Sequence, residues 1–436
     1  MRTKTLASAG AAGLALGLLA AAPAQAGDKA HQAEGDRDFR VTTTKDTADH
    51  DLHDGTCADA QGACSLRAAV QQANASGGGT VVLAKKAAYA LTLHGEDDAG
   101  ATGDLDVSSA VTIEGNGATV DARGEHRVFD VLAGGWLRLN HVTVTGGAAL
   151  GEGLPASGGG VRNAGVLEVE RSTITGNQAT RAGGGIEASA GSTTTINRST
   201  LSHNSTGAGP GNGGGLHLTG AGTVHVSRSI VTGNTAAAEG GGLWNSGAGT
   251  MTVERSTISR NTASGDEATM GGGGLFQDAG AGTLTVTRSQ VTDNVADGAA
   301  GSGGGILNDQ GTVVVERSVI TGNSSMRAGG GIEANVGTTT LSRTELNRNT
   351  TGAAPGNGGG LHLTGAGTVT IERSRVTGNA AANEGGGLWN SETGTMTVSR
   401  TDIRRNTAPV GPNVYQDGAG TGFTIDGRTV APGDGS

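Results

Sequence analysis

The sequence predicts an all-β chain wound as a parallel β-helix, with a short helix capping its N-terminal end. Three observations carry this reading. A phrase of the form Arg-Ser/Thr-x-aliphatic-x-x-Asn recurs nine times, ending at Asn177, Asn204, Asn234, Asn261, Asn294, Asn323, Asn349, Asn379 and Asn406, at spacings of 26 to 33 residues. Between copies stands a glycine triple followed by an aliphatic residue, as in Gly183–Gly185 before Ile186 and Gly240–Gly242 before Leu243. The segments between, such as Thr250-Met251-Thr252-Val253 and Thr312-Val313-Val314-Val315, alternate or run β-branched, with no helical period and no room for a helix of ~10 residues. Each unit therefore holds two or three short strands, and units stack at ~4.8 Å with every residue beside its equivalents. An Asn at one point of every coil can then form a hydrogen-bonded ladder at a bend, and glycine suits bends that need positive φ.

Composition agrees. Glycine is 82 of 436 residues while aromatics are 2 %, which excludes an aromatic-rich globular core or an ordinary helical bundle. Seven prolines and no Gly-X-Y period exclude collagen. A flexible Gly/Ser linker array is excluded because the aliphatic positions keep phase with the Gly and Asn positions. The net charge of −10, without a basic run, argues against nucleic acid or an anionic membrane as partner.

The elements follow in chain order. Residues 1–26 are an expected signal peptide: Arg2 and Lys4, an apolar run from Leu6 to Ala22, and Ala24-Gln25-Ala26 before the cleavage point. The predicted setting is secreted and extracellular, and no later run reaches the ~20 apolar residues of a membrane span. Residues 27–53 form an acidic, solvated arm. Cys57 and Cys64, the only cysteines, are read as a disulfide of an oxidising compartment, because further ligands at zinc-like spacing are missing. Ser65 can N-cap a helix with Leu66, Ala69, Val70 and Ala73 on one face, closing the first coil. The cap and first coils take up 54–147, repeated coils 148–417, and a C-terminal end and tail 418–436. Within the repeats, Thr175 to Thr262 returns as Thr321 to Thr407, with Trp389 lying 145 residues after Trp244, so five coils are duplicated.

At Cys64 stands the string CSLRAAVQQAN, preceded by DGTC at Asp54 and followed by GDLD at Gly103 and VTIEGNG at Val111. This resembles the CSLREA-type N-terminal domain of secreted bacterial β-helix proteins. The downstream GGG-aliphatic-x-Asn and aliphatic-Thr-Gly-Asn phrases are similar to polymorphic outer-membrane protein repeats. Together the two resemblances cover roughly residues 54 to 417. They imply a pectin-lyase-like, right-handed β-helix, a fold that hosts lyases, hydrolases and adhesins. Ala68 departs from the motif's Glu. No translocator barrel follows the last coil, which points to secretion from a single-membrane cell.

Three sets of residues are candidates for function. The residue after each glycine triple is aliphatic and points inward, so the next one points outward by the period of two. That outer column reads Arg162, Glu187, His217, Trp244, Phe276, Leu307, Glu333, His362, Trp389 and Tyr415. Trp244, Phe276, Trp389 and Tyr415 are expected to be partly exposed, either as a platform for sugar rings or as a packed sheet face. Glu187 with His217, and Glu333 with His362, are read as surface ion pairs that contact ligand rather than as acid/base catalysts, so no catalytic residue is assigned. The second set is a ladder of nine arginines, Arg171, Arg198, Arg228, Arg255, Arg288, Arg317, Arg343, Arg373 and Arg400. Its members either bind turn carbonyls or meet a polyanion. The third is calcium, for which Asp104 and Asp106, or Asp49, Asp51 and Asp54, offer oxygens in an incomplete pattern; no other cofactor is predicted. The function expected is non-catalytic, adhesin-like binding of an extended polysaccharide or cell-envelope polymer. Polysaccharide lyase or hydrolase activity and a structural spacer are the alternatives.

Overall fold

A computed structural model describes residues 37–433 apart from Glu96. The expected signal peptide, the first ten residues of the expected arm and the last three residues of the chain lie outside the described residues. The coil that begins at Ile186 shows the plan. Strands Ile186–Ala188, Thr193–Asn197, Thr200–Ser202 and Ser205–Thr206 follow one another, and a loop leads through Gly213-Gly214-Gly215 into the next coil. Each strand pairs in parallel with its equivalent one coil on: Ile186 with Leu216, Thr193 with Thr223, Thr200 with Ile230, Ser205 with Thr235. The first strands of the coils form a twelve-stranded sheet and the fourth an eight-stranded one; the second and third share the largest sheet, which bends at the arginine of the repeat phrase.

The period of two fixes what is inside. In Thr193–Asn197 the side chains of Thr194 and Ile196 are buried while the alternate ones face solvent. Stacked coils turn such positions into continuous apolar columns: Ile186, Leu216, Leu243 and Leu275 on one wall, Ile196, Val226, Val253 and Val286 on another, all without exposure. Small residues such as Ala179, Ala236 and Ala263 take the narrow fourth strand.

The nine asparagines stack in one line, as expected. Asn204 Nδ2 donates to Asn234 Oδ1 at 2.9 Å and to the carbonyl of Ile174 at 3.0 Å, and Asn204 Oδ1 accepts from Asn177. The pattern runs to Asn406, which hands over to Asn413. A second, shorter-reaching ladder lies one bend earlier. Ser199 Nα donates to Ser229 Oγ at 3.1 Å, and Ser199 Oγ donates to the carbonyl of Asn197.

The glycine triples differ from expectation in their reason. Only the first glycine of a triple has positive φ, +61° at Gly183. At Gly184 and Gly185 a Cβ would lie 2.4 Å from the carbonyl oxygen of Ser205 and 2.5 Å from that of Gly215, so crowding between coils excludes any side chain there.

At the N-terminal end the helix Leu66–Ala75 covers the first coil, with Ser65 accepting from the amide of Ala68, and Cys57 bonded to Cys64 just before the cap. Ala68, where the resembled motif has Glu, is fully buried. The described part of the arm is solvated only in part. Asp38–Arg40 pairs with Gly78–Val82, Phe39 and Val41 are buried, and Asp46 makes a buried ion pair with Arg67 at 2.7 Å. The hydrophobic alternation at Phe39 and Val41 was the signal for that strand. At the other end, Phe423–Ile425 continues the large sheet from Met396 and turns back on Arg428–Thr429.

Candidate functional site

The outer column exists as one line of the twelve-stranded sheet and is longer than the sequence suggested. It starts at Asp106 and Asp130, passes Arg162, Glu187 and His217, and reaches Tyr415. Its aromatic part is stacked on itself. The ring centroids of His217 and Trp244 are 4.3 Å apart, those of Trp244 and Phe276 5.9 Å; in the second copy His362 and Trp389 are 4.1 Å apart and Trp389 and Tyr415 6.4 Å.

The expected partial exposure is observed at Tyr415 alone of the four rings. Trp244 is 8 % exposed, Trp389 7 % and Phe276 1 %; only Tyr415, the last ring, is half-buried. Two physical causes act together. Rings stacked nearly parallel along the axis turn their faces to one another, so only edges point outward. The segment before each glycine triple then closes over those edges: the indole N–H of Trp244 donates to Glu239 at 2.9 Å and that of Trp389 to Glu384 at 3.0 Å. A sugar ring has no aromatic face to meet on Trp244, Phe276 or Trp389.

Glu187 and His217, and Glu333 and His362, do pair, at 2.9 Å and 3.0 Å, and Thr219 and Thr364 donate hydroxyls to the same carboxylates. They are not surface pairs. All four are at most 3 % exposed and sit between a neighbouring column residue and a tryptophan. Their hydrogen bonds answer the cost of burying them, and their place is in the packing of the column.

The arginine ladder is exposed. Its nine residues each adopt positive φ, between +47° and +51°. Their guanidiniums lie on the surface, with Arg343 45 % and Arg400 66 % exposed. Glu170, Glu254, Glu316 and Glu372 each pair with two of them at 3.4–3.7 Å. Arg228 makes no ion pair among the described residues. Turn carbonyls take none of the ladder's guanidinium hydrogen bonds among the described residues, contrary to one of the two readings above. Near the C-terminal end Arg348, Arg375, Arg404 and Arg405 flank the ladder and line a shallow groove with Glu345.

One enclosed polar site is not legible as a unit in the sequence. A cleft of about 260 Å³ lies over the N-terminal end of the column. The string that carries the resemblance lies behind it and holds part of its lining in place. Arg67 donates to the carbonyls of Gly100, Gly103 and Asp104, and Asn74 donates to the carbonyl of Asp106 while accepting from Ser108 and Ser109. This fixes the segment from which Asp104 and Asp106 project. Arg127 Nε meets Asp104 at 2.8 Å, and Arg162 Nε meets Asp130 at 3.0 Å. Asp106 Oδ2, Arg127 Nη1 and His126 Nε2 are buried with no hydrogen-bond partner. Burial pushes the carboxyl of Asp104 up to about 6 against the pull of Arg127. Burial, with the charges of Asp104 and Asp130 added, pushes Asp106 up to about 8. Burial holds the imidazole of His126 below its usual range. Extending the outer column two coils toward the N-terminus would have found Asp106 and Asp130.

Apart from Asp106 Oδ2, the residues considered for calcium have other partners: Asp104 meets Arg127. Asp49, Asp51 and Asp54 accept from backbone amides of their own loop, and among the described residues no three His, Cys, Asp or Glu side chains are arranged for a metal ion. Among the described residues no helix is long and apolar enough to cross a membrane. The family model described as "Right handed beta helix region" matches residues 131–324, and the solenoid is accordingly a right-handed parallel β-helix. No curated protein matches the chain.

Proposed function

We propose that the protein is a secreted, non-catalytic β-helix that binds an extended anionic polymer, an acidic polysaccharide or cell-envelope glycan, along its arginine ladder. One observation carries this. Nine arginines occupy left-handed bends that cost a non-glycine residue about 1 kcal/mol each, and their side chains stand in solvent rather than stabilising the turn. Asn or Gly would relieve that strain, so the guanidinium itself is what these positions keep. Against nine positive groups the ladder holds four glutamates, leaving a positive stripe on a chain of net charge −10. Guanidiniums at ~4.8 Å steps meet successive carboxylates as forks. Each contact is weak and screened by salt, and a long chain adds many through effective concentration. The resemblance to repeats found in adhesins supports the same reading.

A length series of galacturonate oligomers tests it by calorimetry at two salt concentrations. Affinity should climb steeply with length and fall with salt; affinity independent of length removes the reading and leaves a spacer. A polysaccharide lyase or hydrolase is favoured only by the raised carboxyls of the N-terminal cleft, and reducing-end release in the same samples tests that alternative.

A further inference from the structure

We propose that the N-terminal cleft is a binding site for an amino sugar, a pyranose unit carrying a free primary ammonium beside hydroxyls. This does not rest on the arginine ladder, which lies on another face and carries the opposite charge.

The argument begins with what the cleft's charged groups have left to give. Asp104 and Asp130 are each occupied by a guanidinium. Asp97 spends both oxygens on Thr102 and the amides of Ala99 and Ala101. Asp98 and Glu125 at the rim remain, so the cleft is negative toward a ligand and repels a uronate, while Asp106 inside, raised to about 8, offers a neutral carboxyl at pH 7.

The unpartnered atoms then set the ligand's hydrogen bonding. Asp106, 2 % exposed, lines the cleft with Oδ2 free to accept. His126 Nδ1 faces the carbonyl of Arg127 at 2.7 Å and must donate to it, which makes the free Nε2 of a neutral imidazole an acceptor. Arg127 Nη1, 3.8 Å from Asp130, makes no hydrogen bond and has a proton to donate. A ligand must therefore bring two donors and an acceptor into one small space. An ammonium with a neighbouring hydroxyl does this. A simple alkylammonium has no acceptor for Arg127, and a divalent cation has none either and would have to displace the guanidiniums already on Asp104 and Asp130.

The wall of the cleft completes the match. Leu150 and Pro155 line it, and Leu150 is 62 % exposed, an apolar surface of the kind on which the C–H face of a pyranose packs. A cleft of about 260 Å³ accommodates one such ring.

The test is a calorimetric titration of the full chain with a fully de-N-acetylated glucosamine tetramer. Parallel arms use free glucosamine, the N-acetylated tetramer, cellotetraose, 1,5-diaminopentane and calcium chloride. The glucosamine tetramer and free glucosamine should bind, the tetramer more tightly if a glycan chain is the source of the unit. The N-acetylated tetramer, cellotetraose and diaminopentane should bind at least ten-fold more weakly. Asp106→Leu, which takes away the side-chain acceptor at similar volume, should remove most of the affinity. The doubly substituted Asp98→Asn, Glu125→Gln chain, changed only at the rim so that the fold is kept, should weaken binding several-fold. No binding of the amine-bearing sugars, equal binding of diaminopentane or the N-acetylated tetramer, calcium binding that depends on Asp106, or an unaltered rim variant would each overturn the proposal. Galacturonate binding is scored separately with the ladder variants, so failure at one site leaves the other reading standing.

Discussion

The two ends of the outer column share one sheet and one register yet treat polar side chains in opposite ways. From Glu187 to Tyr415 the chain repeats: each carboxylate meets an imidazole, each indole N–H a glutamate, and each ring another ring. From Asp106 to Arg162 it does not repeat. Three carboxyls crowd two guanidiniums, and three side-chain atoms of adjoining residues have no partner. A solenoid propagates a packing solution when it duplicates coils, so repeated polar residues inside the stack are there for the stack. A polar group that is neither repeated nor satisfied points to something outside the chain. The arginine ladder is the informative exception, since it is repeated but not used for packing.

Five substitutions sharpen this contrast. The largest effect is expected at the column's aromatic part. Trp244→Ala should cost about 3–5 kcal/mol in urea unfolding, Trp389→Ala should cost a similar amount because the duplication makes the two sites equivalent, and neither should change glycan affinity. A variant that stays as stable as the parent would mean that the column is a platform after all. Next, Asn294→Ala removes four buried hydrogen-bonding contacts, to Asn261, Ile258 and Asn323, and should cost about 3 kcal/mol.

At the irregular end the sign reverses. The carboxyl of Asp106 titrates higher in the folded chain than in the unfolded one, so the folded state binds the extra proton between pH ~4 and about 8, and stability falls as pH rises through that window. Asp106→Asn, which mimics the protonated acid, should therefore leave stability unchanged at pH 4 and raise it at pH 9 by on the order of 2–4 kcal/mol; a pH-independent effect would contradict the reading. The smallest effect is at Arg228, which has a left-handed backbone and no ion pair among the described residues. Arg228→Asn should gain up to about 1 kcal/mol, measured by thermal unfolding.

The wound strands, the asparagine line, the capping helix and the Cys57–Cys64 bond were legible because each follows from a period or a spacing. The cover over the outer column was not. A period of two tells which way Trp244 points, but not that the repeated segment carrying Glu239 and Glu384 folds over the ring edges. Stacking also turns ring faces along the axis, which a one-dimensional pattern does not show. The N-terminal cleft was half legible. Arg162 headed the column and Asp104 and Asp106 had been singled out, but Arg127 and Asp130 lie outside the repeat phrase, and only the coil-to-coil register joins them. The strand Asp38–Arg40, which buries Phe39 alone of its three residues, does not stand out in the sequence because the acidic residues around Phe39 and Val41 outweigh their alternation.

The claim on which the functional account depends is that the ladder's arginines are kept for a ligand and against stability. Replacing Arg317, Arg343, Arg373 and Arg400 together by Asn tests it most directly, because Asn tolerates the left-handed bend that each of them occupies. Retention on immobilised polygalacturonate and the unfolding temperature would be measured on the same preparation. The account predicts that retention at low salt is lost while the unfolding temperature holds or rises. Undiminished retention, or a loss of stability in step with the loss of binding, would contradict it.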